Sequence, residues 1–256
     1  MIITVYGYFE ALDIRTEHII IRTPKIPEEI GRLKIAQISD VHLGLIVGRG
    51  RLKRIIKKIK AADPDILVST GDLVDGQMDK VLGLAHMFRE VDTRYGNFAV
   101  TGNHEYYAGL LRSLDFTEKA GFSILRGEGL NVSGLINIAG VDDAAGKSYD
   151  HVREVSEKEV LSKLSREKFT ILLKHRPIVD KDAIGLFDLQ LSGHTHKGQI
   201  FPFVFITMLY FPNYAGRFNL HKNSYLYVSR GSGTWGPPIR FLSPPEVTLI
   251  ELVHKK

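Results

Sequence analysis

Residues 33–44 read LKIAQISDVHLG, an apolar run of strand length followed at once by Asp40-x-His42. The same arrangement returns along the chain. Residues 66–70 (ILVST) lead into GDLVDG at 71–76, and residues 97–101 (NFAVT) into GNHEYY at 102–107. Residues 170–174 (TILLK) end on His175, and residues 189–192 (LQLS) run into SGHTHKG at 192–198. Short apolar runs closed by Gly, Asp, Asn or His mark buried strands. Between the first two runs, Leu52, Ile55, Ile56 and Ile59 recur at helical spacing, so a strand, helix, strand unit is predicted there. A second helix is expected around residues 80–90. Every polar group of interest then falls at the carboxyl end of a strand, where the loops of an α/β sheet converge.

Those loops carry seven donors suited to a two-metal site: Asp40, His42, Asp72, Asn103, His175, His194 and His196. Carboxylate and imidazole suit Mn, Fe and Zn, a carboxylate can bridge two cations, and Asn adds a neutral carbonyl oxygen. The chain has no Cys, which excludes a thiolate site. Two ions about 3.5–4 Å apart generate hydroxide at neutral pH and neutralise phosphoryl oxygens during in-line attack at phosphorus. A phosphohydrolase is the expected chemistry. Each pair taken alone has a blander reading, since Asp caps helices and His is often a satisfied polar residue. Six ordered matches make coincidence a poor explanation.

The ordered set D-x-H, G-D-x-x-D, G-N-H-E, a lone His after an apolar strand, and G-H-x-H resembles the calcineurin-like metallophosphoesterases over residues 35–198. The tail at 227–252 (YVSRGSGTWGPPIRFLSPPEVTLIEL) and the head VYGYFEA at 5–11 are similar to one branch of them, the bacterial membrane-associated phosphodiesterases like YkuE and YaeI. This resemblance implies a four-layer α/β/β/α sandwich of two mixed β-sheets flanked by helices. It further implies one ion held by Asp40, His42, Asp72 and His196, and a second held by Asp72 as shared bridge with Asn103, His175 and His194. His104 would face the substrate as a catalytic group, and Asp75 would orient it and hold its charge. One departure from the branch is visible at 174–177, where Lys174 and Arg176 flank His175 instead of the usual S-H-x-P.

At 256 residues and 44% hydrophobic content, the chain is expected to form a single domain over 1–256, with a motif core at 33–198 and C-terminal strands with a Gly/Pro loop at 199–256. The net charge of +5 is modest. Bound cations would add to it and favour anionic substrates. Residues 1–5 are too short for a signal-peptide core and no run reaches 18 apolar residues, so a cytoplasmic or peripheral membrane location is expected. His18, His86, His151, His221 and His254 have no motif around them and are expected to be surface or structural.

Two features keep a membrane surface in play. Residues 200–214 (IFPFVFITMLYFPNY) are either a buried loop and edge strand over the sheet or an exposed apolar lip that admits acyl chains. In RGRLKRIIKKIK at 49–60, basic residues cover the face opposite the apolar stripe and would attract anionic head groups. Nucleic acid is not expected, because no aromatic residues interleave with them. In the tail, Gly231, Gly233 and Gly236 mark a tight loop near the site, and Arg230 and Arg240 are candidate phosphate-binding residues. Three functions fit: a two-metal phosphodiesterase acting on a phosphate ester, a lipid-linked one included; a pyrophosphatase on a nucleotide-activated acylated sugar, similar to the diacylglucosamine-nucleotide hydrolases; and a non-catalytic binding module on the same fold.

Overall fold

A computed structural model describes residues 2–78, 81–149 and 155–255. His151 and part of the 80–90 segment lie outside the described residues. The chain opens with helix α1 (Ile2–Leu12) and strand β1 (Arg15–Thr23), then β2 (Arg32–Ile38), α2 (Arg49–Ala62) and β3 (Ile66–Ser69). Helix α3 (Ala85–Phe88), β4 (Asn97–Ala99), α4 (Asn103–Tyr107), α5 (Leu110–Lys119) and β5 (Ser123–Ile124) follow. The second half comprises β6 (Glu128–Val132), β7 (Ile136–Gly140), α6 (Glu157–Ser162), β8 (Phe169–Leu173) and β9 (Leu189–Ser192), then α7 (Val204–Tyr210), β10 (Gly216–Asn219), β11 (Tyr225–Val228) and β12 (Glu246–His254).

Two six-stranded sheets result, ordered β1-β12-β2-β3-β4-β5 and β10-β11-β9-β8-β7-β6. Both are mixed: β12 runs antiparallel to β2 within an otherwise parallel sheet, and β10 and β6 are the antiparallel edges of the other. Along β2 the side chains alternate between two cores. Leu33 and Ile35 point between the sheets, against Ile136, Ile171 and Leu191 of the other sheet. Ala36 and Ile38 point outward, beneath Leu52, Ile55 and Ile59 of α2 and Phe116 of α5. On the far face, Val160 and Leu161 of α6 pack on Ala139 and Leu172. The layers are therefore helix, sheet, sheet, helix, as the resemblance implies. This arrangement removes both faces of each sheet from water, which is why the central strands read as continuous apolar runs.

The expected helix over 80–90 is shorter than its pattern, a 3₁₀ turn at Leu82–Leu84 and the single α-helical turn of α3. Gln37 sits between the sheets at their carboxyl ends, its Nε2 donating to Thr70 Oγ1 (3.0 Å) and to the Ser192 carbonyl (3.1 Å). This side chain ties the end of β2 to the end of β9 and so fixes the two halves of the site against each other. Among the described residues, no helix is long and apolar enough to cross a membrane.

Candidate metal centre

The loops that follow β2, β3 and β9 turn back sharply. Asp40 (φ 51°), His42 (53°), Asp72 (52°), His194 (72°) and His196 (48°) all occupy the left-handed region. Such backbones cost on the order of 1–3 kcal/mol each for residues with a Cβ, and they persist where surrounding structure over-determines them. Here the loops brace one another. The amides of Asp40, His42 and Leu43 donate to the carbonyls of Gly71, Asp72 and Leu73, each at 3.0 Å. Space is equally restricted. A Cβ at Gly102 would collide with the Asp72 carboxylate and stand 2.6 Å from its amide, and one at Gly193 would collide with the carboxylate of Asp40. The glycines of GNHE and GHTH let two loops close on two aspartates.

All seven predicted donors converge. His42 Nε2 lies 3.1 Å from His196 Nε2, which is 3.5 Å from Asp40 Oδ1. Beside that group, His175 Nε2 lies 3.1 Å from His194 Nδ1, 3.2 Å from Asn103 Oδ1 and 3.1 Å from Asp72 Oδ2. Asp72 Oδ2 is also 3.8 Å from His42 Nε2, so one carboxylate oxygen faces both groups. Two donors held at right angles around a divalent ion with bonds of about 2.1 Å stand about 3 Å apart, so the spacing fits shared coordination. Imidazole nitrogens meeting at 3.1 Å share at most one proton, so each pair turns at least one lone pair inward. Among the described residues, His42 Nδ1 is buried with no hydrogen-bond partner.

Protonation follows the same logic. Burial pushes His42 down to about 4 and His194 down to about 3, and it drives His196 well below its ordinary value, with Arg240 adding repulsion. All three are thereby neutral, the form that binds metal. Burial also pushes the Asp40 carboxyl up to about 6. Asp72 goes the other way: against the cost of burial, the charge and hydrogen bond of His175, with His42 and His104, hold it well below the usual carboxylate range. For His175, burial is outweighed by Asp72 and Asp40, which push it up to about 10.

His104 lies on the rim of this group. Its amide donates to Asp72 Oδ1 (2.8 Å), and its Nδ1 meets Asp75 Oδ1 at 2.9 Å. Burial pulls His104 down, but the bond to Asp75 and the charges of Asp72, Asp75 and Glu105 leave it above its ordinary value. His42, Asp75 and His104 form a third group of convergent donors. Glu105, to which the sequence reading gave no role, is buried beneath the loops. Its Oε2 accepts the amides of Asp72 (2.9 Å) and Gly102 (2.6 Å), and its Oε1 those of Leu73 (2.8 Å) and Val74 (3.3 Å). A partial signal existed, since Glu105 stands at N3 of α4 and accepts the amide of the N-cap Gly102, the half of a capping box that a glycine N-cap allows.

Both candidate phosphate-binding arginines are corrected. Arg240 is fully buried, with Nη2 donating to the Gly233 carbonyl (2.6 Å) and 2.9 Å from His196 Nδ1, and Nη1 donating to the Arg230 carbonyl (2.7 Å). It braces the 230–233 loop and the ring of His196 from behind. Arg230 is paired with Glu17 and with Glu246 (2.7 Å) in a separate recess lined by Lys197 and Tyr214. The charges flanking His175 are also neutralised, Lys174 by Glu157 and Arg176 by Asp143 (2.9 Å). Of the other histidines, His18, His86 and His221 are exposed and His254 Nδ1 meets the Ile26 carbonyl.

A cavity of about 520 Å³ opens over the cluster. His42, Asp72, Asn103, His104, His194 and His196 form its floor, while Ile200, Phe203, Ile206 and Trp235 form an apolar wall. The buried reading of the 200–214 segment is wrong. Its helix α7 has no buried residue and follows directly on the short turn after His196.

A sequence profile for calcineurin-like phosphoesterases matches residues 33–198. The chain is 44% identical over 252 residues to an uncharacterized metallophosphoesterase of Aquifex aeolicus, covering 98% of this chain and 96% of that one. To YkuE of Bacillus subtilis it is 33% identical, covering 96% and 89%. It spans only 62% and 60% of two further relatives, from Campylobacter jejuni and Danio rerio. Among solved structures it is similar in fold to the NAD nucleotidase of Haemophilus influenzae, with a TM-score of 0.51 and 16% identity over 79% of this chain and 46% of that one. With its donor clusters supporting a divalent metal centre, the chain belongs to the calcineurin-like phosphoesterase family of metal-dependent phosphohydrolases.

Proposed function

We propose that this protein is a two-metal phosphodiesterase. The observation that carries the reading is Asp72 Oδ2, which faces both His175 Nε2 and His42 Nε2 and so belongs to both donor groups. Asp40, His42, Asp72 and His196 would hold one divalent ion of the Mn, Fe or Zn class, and Asp72, Asn103, His175 and His194 the other. When bound, such ions supply Lewis acidity toward phosphoryl oxygens and a nucleophilic water at neutral pH.

The chain's own residues do the rest. Asp72 is kept ionised and the three pushed-down histidines neutral, so these four donors already hold the metal-binding form, while His175 gives up its proton on binding. His104 lines the cavity with Nδ1 committed to Asp75, which leaves Nε2 to give a proton to the departing oxygen. Asp75 fixes the tautomer and favours the charged ring. The apolar wall excludes water and accommodates an organic group.

That wall also supports the diester preference. Among the described residues lining the cavity, none is a lysine or arginine, so a monoester dianion would find few cationic partners beyond His104. A diester carries one negative charge and a second arm that can lie against Phe203, Ile206 and Trp235. The same wall suits an acylated nucleotide sugar, whose phosphoanhydride is the second reading; a non-catalytic module would have no need of the full donor set. On Mn-loaded protein, kcat/KM for bis(p-nitrophenyl) phosphate should exceed that for p-nitrophenyl phosphate. A clear monoester preference would refute the diester reading, and faster cleavage of a nucleotide sugar pyrophosphate than of any diester would favour the second.

A further inference from the structure

Helix α7 buries none of its own residues. Leu209 is 83% exposed, Tyr210 76% and Phe205 58%, and no charged residue occurs anywhere from 198 to 216. A second uncharged, exposed run lies at the other end of the sequence, where Ile3, Val5, Tyr8 and Phe9 of α1 face solvent. Phe241 joins the two: its ring meets that of Tyr6 edge-on at 5.7 Å, and its carbonyl accepts the Phe201 amide at 3.1 Å. Trp235, also exposed, is held to the same side by Gln199, whose Nε2 donates to its carbonyl at 2.7 Å. Three segments far apart in sequence thus build one apolar face, and monomeric proteins rarely expose one so extensive without using it.

The rim of this face is basic. Arg51 of α2 donates to the Ala11 carbonyl at the end of α1 and to the Ser232 carbonyl (3.1 Å), which sets the amino end of α2 beside the face. From there Arg49, Lys53, Arg54 and Lys57 project into solvent, and α2 contains no acidic residue. An uncharged, aromatic-rich surface beside a basic helix complements an anionic lipid surface: head groups meet the lysines and arginines while aromatic and aliphatic side chains enter the acyl boundary. A second copy would gain from the apolar part but would set its own basic helix against this one. We propose that α1, α7 and Trp235 form a face that docks this protein on an anionic bilayer, with both helices lying in the interface. The cavity over the metal centre shares Phe203, Ile206 and Trp235 with this face, so a docked protein presents its site to the lipid surface.

Trp235 is the only tryptophan of the chain, so intrinsic fluorescence reports directly on the face. The full chain is mixed with phosphatidylcholine vesicles with or without phosphatidylglycerol, and emission and co-sedimentation are recorded. Anionic vesicles should shift the emission to the blue and sediment the protein, less so at high salt; pure phosphatidylcholine should do neither as strongly. Leu209→Asp should lower vesicle partition by on the order of tenfold. At so exposed a position it should leave circular dichroism and hydrolysis of a soluble diester unchanged. Lys53→Glu with Lys57→Glu should remove the anionic preference. Unchanged emission with anionic vesicles would overturn the proposal, as would partition indifferent to Leu209→Asp. A concentration-dependent dimer that Leu209→Asp dissolves would show that a second copy covers the face instead.

Discussion

Replacing Glu105 by Gln tests whether the site is held from below by one carboxylate. The side chain keeps its shape, but one of its two acceptor oxygens becomes an amide donor pointed at backbone N–H groups. Each oxygen now accepts two amides, Asp72 and Gly102 on one and Leu73 and Val74 on the other. Hydrogen bonds to a charged group are worth about 1.5–3 kcal/mol each, so losing two costs roughly 3–6 kcal/mol. Part of this is recovered, because burial and the neighbouring Asp72 push the Glu105 carboxyl up to about 7 and a neutral amide is easier to bury. The expected net loss is about 2–4 kcal/mol, which in a domain of this size lowers Tm by roughly 4–16 °C. Urea denaturation at constant slope gives the free energy, and titration with Mn gives the second readout. Metal affinity should fall too, since the amides of Asp72 and of its turn lose their anchor. A variant within about 1 kcal/mol of the parent, with unaltered Mn binding, would refute this account.

Asp72→Ala should abolish binding of both ions and essentially all activity, whereas Asn103→Ala should weaken mainly one; elemental analysis of protein loaded with Mn checks both, and two equivalents retained on Asp72→Ala would refute the bridge. His104→Ala should keep its metal and lose on the order of 10²–10⁴ in turnover, with a smaller loss for substrates with good leaving groups. Metal lost together with activity would make His104 a ligand. Asp75→Asn removes a group that raises His104, so the alkaline limb of the pH profile for a poor leaving group should move to lower pH; an unmoved limb would separate the pair from catalysis. The pair also couples pH to stability. Because His104 is raised in the folded state, its contribution is fully present below about pH 6.5, its ordinary value, and is lost as pH rises through the folded value. Asp75 is lowered by that bond, so its contribution is lost as pH falls through its folded value. Urea midpoints of parent and Asp75→Asn across pH should converge at both extremes.

The order of motifs determined a good part of this structure by itself. Strands buried on both faces must be apolar throughout, so β2, β3, β4, β8 and β9 were legible as runs, and the donors were legible because each follows such a run directly. Within each sheet, the rule that parallel strands end on the same side brings the donors to one edge; that the edges of the two sheets meet was decided by their packing, which Gln37 spans. Tertiary structure alone decided the remainder. Strand β12 inserts between β1 and β2, pairing with residues more than two hundred positions away, and no local pattern encodes such a partner. The same distance hid the environment of the arginines: Arg230 meets Glu17, and Arg240 meets the loops after β9 and β11, so side chains that read as phosphate ligands are structural braces. Residues 200–214 had the composition of a core segment, and whether such a segment is covered depends on what packs against it. In this fold nothing in the described chain covers α7, because the second sheet is already closed by α6 on its outer face and by the first sheet on its inner one.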